Sequence, residues 1–424
     1  MTAVTRISAD LIIHHASTLL TLAGASRPRR GTEMDDLSPI EQGAVAIRDG
    51  RILATGTTRD IIAAYTAEQQ IDAQGCLVMP GFVDSHTHLV YAGSREQEMA
   101  RKINGESYLQ ILQSGGGIHS TVRAVREADE NQLLHTALKR LDRLLAHGTT
   151  TVEIKTGYGL SAKDELKMLT VIQRLQQRHS LDIIATFLGA HVAPLDQPRE
   201  DYLRWLSNQA LHLAKPTARF FDVFCESEAF TLAETEMLLL AARSAGFRLK
   251  VHAGQFHALG AAGLAARLGA VSVDHCDHLA ADEIKAMAQA GTIAVLLPGA
   301  AFFGGHGAYA DAQRLIREGV PVALATDFNP GSCPSYSMLM MIALACLQMK
   351  MTPAQAITAA TVNGAHALDR EDIGSLEPDK QADVIILDVQ SPQQIPYHFG
   401  VNLINRVIKK GHVVFDQNAA LEFQ

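Results

Sequence analysis

Pro80-Gly81-Phe82-Val83-Asp84-Ser85-His86-Thr87-His88 reads as a short apolar strand that ends in two histidines one residue apart. Successive side chains of a strand point to opposite faces, so His86 and His88 share a face and can present both imidazoles to one site. Neutral imidazole nitrogens are ordinary ligands for zinc and similar ions. A His-x-His pair alone is also met on plain surfaces, so its weight depends on what surrounds it.

Outward from this strand, between Gly81 and about Ala367, apolar strand candidates alternate with helical stretches, the pattern of a parallel sheet with crossover helices. Eight strands are expected: Gly81 to Ser85, Thr149 to Ile154, Leu181 to Leu188, Arg219 to Phe224, Arg248 to Val251, Val271 to Val273, Ile293 to Leu297 and Val322 to Ala325. Eight such units close a (β/α)8 TIM barrel, an α/β fold. The stretches Glu130 to His147, Asp164 to Arg178 and Leu232 to Ala245 carry the 3.6-residue apolar period, and Gly148 and Gly246 fall where a helix stop is wanted. Two β-rich ends flank this middle. One has runs at Leu11 to Ile13, Gly43 to Ile47 and Arg51 to Ala54, with tight turns expected at Gly50 and Gly56; the other has Ala382 to Leu387, Arg406 to Ile408 and Val413 to Phe415 after a turn at Lys410-Gly411.

Apolar residues make up 47% of the 424 and charged ones 19%, a balance that supports a large buried core. The net charge of -8, with no basic run able to track a phosphate backbone, argues against nucleic acid as a partner. Met338 to Leu347 is the longest apolar run and too short to span a bilayer, and Asp10, His14 and His15 interrupt any N-terminal leader, so a cytoplasmic protein without a membrane partner is expected. The five cysteines are scattered and suggest neither disulfides nor a thiolate metal site. Gly115 to Gly117 and Gly304 to Gly307 lack the Lys-Ser/Thr of a phosphate loop and serve as connectors or as covers over the barrel mouth.

Chemistry in such barrels sits at the C-terminal ends of the strands. There this chain puts His86 and His88, Tyr158, His191, Glu226, His252, His275 and Asp327, from seven of eight strands. Packing gives no reason for five histidines and an aspartate at one end of five strands, whereas a metal centre requires such convergence. The expected ligands are His86, His88, His252 and Asp327, for one zinc or iron ion, divalent or trivalent. Asp327 can also take a proton from the attacking water. His275 is either the group that polarises a substrate carbonyl or shuttles a proton, or a partner that orients a ligand.

The Pro80 to His88 stretch, His252 after an apolar strand, Asp274-His275 and Thr326-Asp327 together resemble the amidohydrolase superfamily. Four longer segments are similar to its imidazolonepropionase family: His86-Thr-His-Leu-Val-Tyr-Ala-Gly-Ser-Arg95, Glu153-Ile-Lys-Thr-Gly-Tyr-Gly-Leu160, Phe187-Leu-Gly-Ala-His191 and Ala325-Thr-Asp-Phe-Asn-Pro-Gly-Ser332. The resemblance implies a metal-dependent hydrolase that opens the cyclic amide of 4-imidazolone-5-propanoate to N-formimidoyl-L-glutamate in histidine degradation, as a homodimer with one metal per subunit. It also implies a small β-sandwich domain built from residues 1–80 plus 375–424 around a barrel of 81–374. Substrate contacts carried over are Arg95 for the carboxylate, Tyr158, His191, Asn329, Gly331 and Ser332. Gln255 stands where the family often has glutamate; an amide cannot act as a general base, so only a binding role is expected of it. His278 is unusual beside the family pattern and is expected on the surface. Other readings are a deaminase of another nitrogen heterocycle, against which Gln255 argues, and a non-catalytic barrel scaffold, against which the intact ligand set argues.

Overall fold

In the computed structural model, which describes residues 6–106, 110, 115–305 and 307–417, eight parallel strands form one sheet in chain order: Phe82–Asp84, Thr149–Lys155, Asp182–Ala190, Phe220–Cys225, Arg248–Ala253, Ser272–His275, Ile293–Leu296 and Val322–Leu324. All eight expected strands are present, shifted by a residue or two at their ends. The sheet closes beyond its ladder: Asp327 N donates to His86 O at 3.0 Å, and His88 N to Phe328 O at 2.9 Å. Asp84 fastens the same seam, accepting from Thr326 N at 3.0 Å and Thr326 Oγ1 at 2.6 Å. Burial raises the Asp84 carboxyl to about 6 against these bonds.

Local chemistry starts and stops the outer helices. Asp129 caps Glu130–Ala146 in a capping box with Gln132, Ser161 caps Ala162–Arg178, and Thr231 caps Leu232–Ser244 in a box with Glu234. Gly148 and Gly246 follow two of these helices at φ 87° and 82°, a region that a side chain would penalise.

Two further sheets pack on each other. One orders Arg51–Thr57, Gly43–Arg48, Ile7–His14 and Tyr65–Asp72; the other orders His412–Asp416, Ile404–Lys409, Val384–Leu387, Leu77–Pro80, Thr18–Leu20 and Pro39–Glu41. Leu11, Ile13, Val45 and Ile47 of the first share a buried core with Leu19, Val78, Val384, Ile386 and Ile408 of the second. Gly56 is not a turn: it lies inside Arg51–Thr57, paired with Ala44, and the chain turns into the helix Thr58–Ala64 capped by Thr57. Leu77–Pro80 runs into the first barrel strand, and Asp182, opening the third, binds Gln381, Lys409 and Lys410 at 2.7, 3.0 and 2.9 Å. The small sandwich is thus anchored to the end of the barrel remote from His86 and Asp327. Among the described residues, no helix is long and apolar enough to cross a membrane.

Candidate metal centre

His86 and His88 stand just past the first strand. The Nδ1 of His86 bonds Asp274 Oδ2 at 2.7 Å, which fixes the ring and turns Nε2 to within 3.3 Å of His88 Nε2. Asp327 Oδ1 lies 3.4 Å from the first of these nitrogens and 3.5 Å from the second. Ligand atoms spaced like this surround an ion at zinc's bond lengths, since a tetrahedron with arms of roughly 2.0–2.1 Å has edges of about 3.3–3.4 Å. His252 adds a buried Nε2 with no hydrogen-bond partner, on a ring centred 4.5 Å from His86 and 5.5 Å from His88. Its Nδ1 is 2.9 Å from Asp222 Oδ2 but is not aligned for a hydrogen bond. Ligand atoms of His86, His252 and His275 also lie within 4.8 Å of one another, so His275 is close to the donors from which the sequence reading set it apart.

Protonation suits the same use at three of these four histidines. Burial lowers the pKa of His88, His252 and His275, the last to about 3, and keeps their nitrogens neutral. Burial and the Lys155 ammonium oppose protonation of His86, yet its bonds to Asp274 and Asp327 hold its pKa above the ordinary value. Asp327 and His275 adopt φ of 52° and 81°, left-handed conformations that cost energy and gather here at the site.

The donors rest on a floor of charges inside the barrel. Lys155 Nζ is 2.7 Å from Asp222 Oδ2 and 3.1 Å from both Asp274 Oδ2 and Glu153 Oε2; Lys250 Nζ is 2.8 Å from Glu153 Oε2 and 2.9 Å from Ser85 O. All five side chains are fully buried. Asp222 and Asp274 thus each meet both an ammonium group and a histidine, an arrangement that orients metal-binding imidazoles elsewhere.

Above the centre is a cavity lined by His88, Arg95, Ile118, Tyr158, His191, Val192, Phe224, His252, Gln255, Phe256, His275, Ala300, Gly304, Asp327, Asn329, Gly331 and Ser332. Every site residue expected from sequence is in this lining except His86, which lies beneath it. His191 stacks on His88 with ring centres 5.1 Å apart, and its Nδ1 faces Gly157 O at 3.1 Å; burial lowers its pKa to about 3. Asn329 spends its polar atoms within its own loop: Nδ2 donates to Asp327 O and Ser332 Oγ, each at 2.6 Å, and Oδ1 accepts from Gly331 N and Ser332 N, each at 2.8 Å. Ser332 Oγ then donates to Asp327 Oδ2 at 2.9 Å. Asn329 in this arrangement shapes the loop that carries Asp327. Gly331 is where Arg95 packs: an added Cβ would stand 2.5 Å from Arg95 Cζ.

Glu226, also at a strand end, points away from the donors and holds the segment after Gln255, accepting from Phe256 N at 2.9 Å and His257 Nδ1 at 2.7 Å. His278 is half-buried in a loop, its N–H bonded to Gly254 O at 2.7 Å. Sequence reasoning misses the charged floor and also Glu98, which is buried against Arg95. A signal is present for the floor. Glu153 and Lys155 alternate with Val152 and Ile154 in the fully buried strand Thr149–Lys155, and Asp222 and Lys250 interrupt two more strands.

Residues 77–414 match the Amidohydrolase family, and residues 43–67 match the Imidazolonepropionase-like composite domain, bacteria. The chain is 46% identical over 414 residues to an imidazolonepropionase of Geobacillus kaustophilus, covering 95% of this chain and 97% of that one. It is 45% identical over 417 residues to an imidazolonepropionase of Symbiobacterium thermophilum, covering 96% and 98%. Among solved structures, a zinc-bound adenosine deaminase from Xanthomonas campestris superposes with a TM-score of 0.73 at 19% identity, over 99% of this chain and 97% of that one, a likeness of fold alone.

Proposed function

Since the chain belongs to the imidazolonepropionase family of amidohydrolases, we propose that it hydrolyses the ring amide of 4-imidazolone-5-propanoate to N-formimidoyl-L-glutamate, with His86, His88, His252 and Asp327 holding one zinc or iron ion. The observation that carries this reading is the convergence of two imidazole nitrogens and a carboxylate oxygen at 3.3–3.5 Å beneath a cavity that also contains an arginine.

Bound there, such an ion supplies a Lewis acid for the carbonyl oxygen and brings the pKa of water from 15.7 to about 7. The side chains do the rest. Asp327, its Oδ2 anchored by Ser332, accepts the proton of the attacking water and returns it to the leaving ring nitrogen. His275, neutral because it is buried, donates a hydrogen bond to the carbonyl oxygen as charge develops on it. Arg95 takes the substrate carboxylate, with a planar donor edge that lysine lacks. Tyr158, His191 and Gln255 contact the ring, and Asn329, Gly331 and Ser332 form the loop beside it.

The proposal extends to a cytoplasmic homodimer, divided into residues 1–80 plus 375–424 and residues 81–374. Exposed Tyr397, Phe399 and Val401 offer an apolar stretch suited to a second copy. The test is metal analysis combined with the absorbance loss of freshly made 4-imidazolone-5-propanoate. We expect one transition metal ion per chain, no turnover after chelation, and loss of turnover in Asp327→Ala. Full activity in Asp327→Ala, or a protein that binds no such metal, refutes the reading.

A further inference from the structure

We propose that Glu98 is a specificity-determining positioning residue: it sets the guanidinium of Arg95 and couples it to the Gly115 to Gly117 turn, so that the site selects a ring bearing an anionic arm. The inference rests on the reading of Arg95 as partner of the substrate carboxylate. Arg95 Nε donates to Glu98 Oε2 at 2.8 Å, and Nη2 lies 2.8 Å from the same oxygen. The other oxygen, Oε1, accepts from Gly117 N at 2.8 Å and from Ser120 Oγ at 3.3 Å. One carboxylate therefore joins the arginine to the turn that opens the helix Ile118–Glu127, and Ile118 itself lines the cavity.

This is no ordinary surface pair. The Arg95 and Glu98 side chains are only 9% and 11% exposed, which makes the geometry stiff and gives each bond more weight than in water. Glu98 occupies the Nε and Nη2 edge of the guanidinium. Nη1, which donates to nothing among the described residues, is the nitrogen nearest Gly331 on the cavity wall. An arginine free to swing would meet an anion in many poses; one held along one edge offers the other in a fixed direction. Glu98 also neutralises the guanidinium while the cavity holds no anion, which lowers the cost of keeping that charge buried.

Two stable probes read this: imidazole-4-propanoate and its methyl ester, whose arms differ in charge, the ester also carrying one added methyl group. Their inhibition constants would be compared in the metal-loaded wild type, Arg95→Ala, Glu98→Ala and the shape-conserving Glu98→Gln. Wild type should prefer the acid by about tenfold or more, and Arg95→Ala should abolish the preference. Glu98→Ala should reduce it at least about fivefold, by weakening the acid and leaving the ester unchanged. Glu98→Gln should reduce it less, because an amide oxygen still accepts from Arg95 but the amide nitrogen cannot accept from Gly117 N. Metal content should stay at the wild-type level in all four. If wild type and both Glu98 variants show the same acid preference, Glu98 is structural only and the proposal fails. If wild type shows no preference, the reading of Arg95 fails and takes the proposal with it.

Discussion

Replacing Gly331 by alanine tests whether the Arg95 guanidinium must lie where it does. The new Cβ would stand 2.5 Å from Arg95 Cζ and closer still to Nη1, whereas a Cβ needs at least 3.0 Å and ordinarily 3.4 Å, so Cζ must retreat by 0.5 to 0.9 Å. It cannot simply swing aside, because Nε and Nη2 are both engaged by Glu98. Position 331 has no left-handed φ, so alanine adds no backbone strain and the fold should be untouched. A charge-assisted hydrogen bond is worth about 1.5–3 kcal/mol, and misplacement by roughly an ångström costs up to about a hundredfold. The expected result is a KM for 4-imidazolone-5-propanoate raised about tenfold to a hundredfold, with kcat within a few-fold, because the lost contact lies on an arm remote from the broken bond. Substrate loss would be followed by absorbance, with metal content and thermal melting measured on the same preparations. A Gly331→Ala enzyme with the wild-type KM would show that the guanidinium position is immaterial, and the carboxylate assignment would go with it.

The charged floor gives a stability prediction: Lys155→Met leaves Lys250 alone among three fully buried carboxylates, and breaking such a set costs about 3–5 kcal/mol. Urea unfolding of the metal-free protein measures it, and a loss below about 1 kcal/mol would mean the floor is not a coupled unit. Asp182 predicts the acid limb of stability. Burial opposes its ionisation, but Lys409, Gln381 and Lys410 outweigh burial and hold its pKa below the usual 3.8. A carboxylate with a depressed folded-state pKa contributes stability above its unfolded value and loses that contribution as pH falls through the folded one. The stability gap between wild type and Asp182→Asn should therefore be full near neutral pH and shrink as pH drops below about 4. A gap that stays constant under acid titration contradicts this account.

The barrel is legible in the sequence because most of its strands are buried apolar runs that alternate with helical stretches, so the residue period changes along the chain. The small sandwich is harder. Tyr65–Asp72 does not read as a strand because it is a mostly exposed edge, Tyr-Thr-Ala-Glu-Gln-Gln-Ile-Asp, held by parallel pairing with Ile7–His14. Gly56 reads as a turn since glycine commonly marks one, but here the strand continues and Thr57 starts a helix. In both cases the deciding partner lies on another strand, and local propensity gives no view of it.

The same distinction divides the site. His86, His88, His252, His275 and Asp327 can be gathered from sequence because a parallel barrel delivers the ends of all its strands to one rim. Glu153, Lys155, Asp222, Lys250 and Asp274 sit one layer lower, where each has meaning only through a partner on another strand, such as Lys155 with Asp222 at 2.7 Å. A fully buried lysine has no place in an apolar core unless carboxylates surround it, and a buried carboxylate likewise needs its cations. Charged residues alternating with apolar ones in a buried barrel strand, as in Val152-Glu153-Ile154-Lys155, are therefore a sequence signature of an interior charge network. Here that network lies directly under the histidines, with Asp274 bonded to His86 and Asp222 beside His252. The barrel interior thus contributes to the orientation of the rim residues, and a change in this floor should be felt at the candidate metal centre as well as in stability.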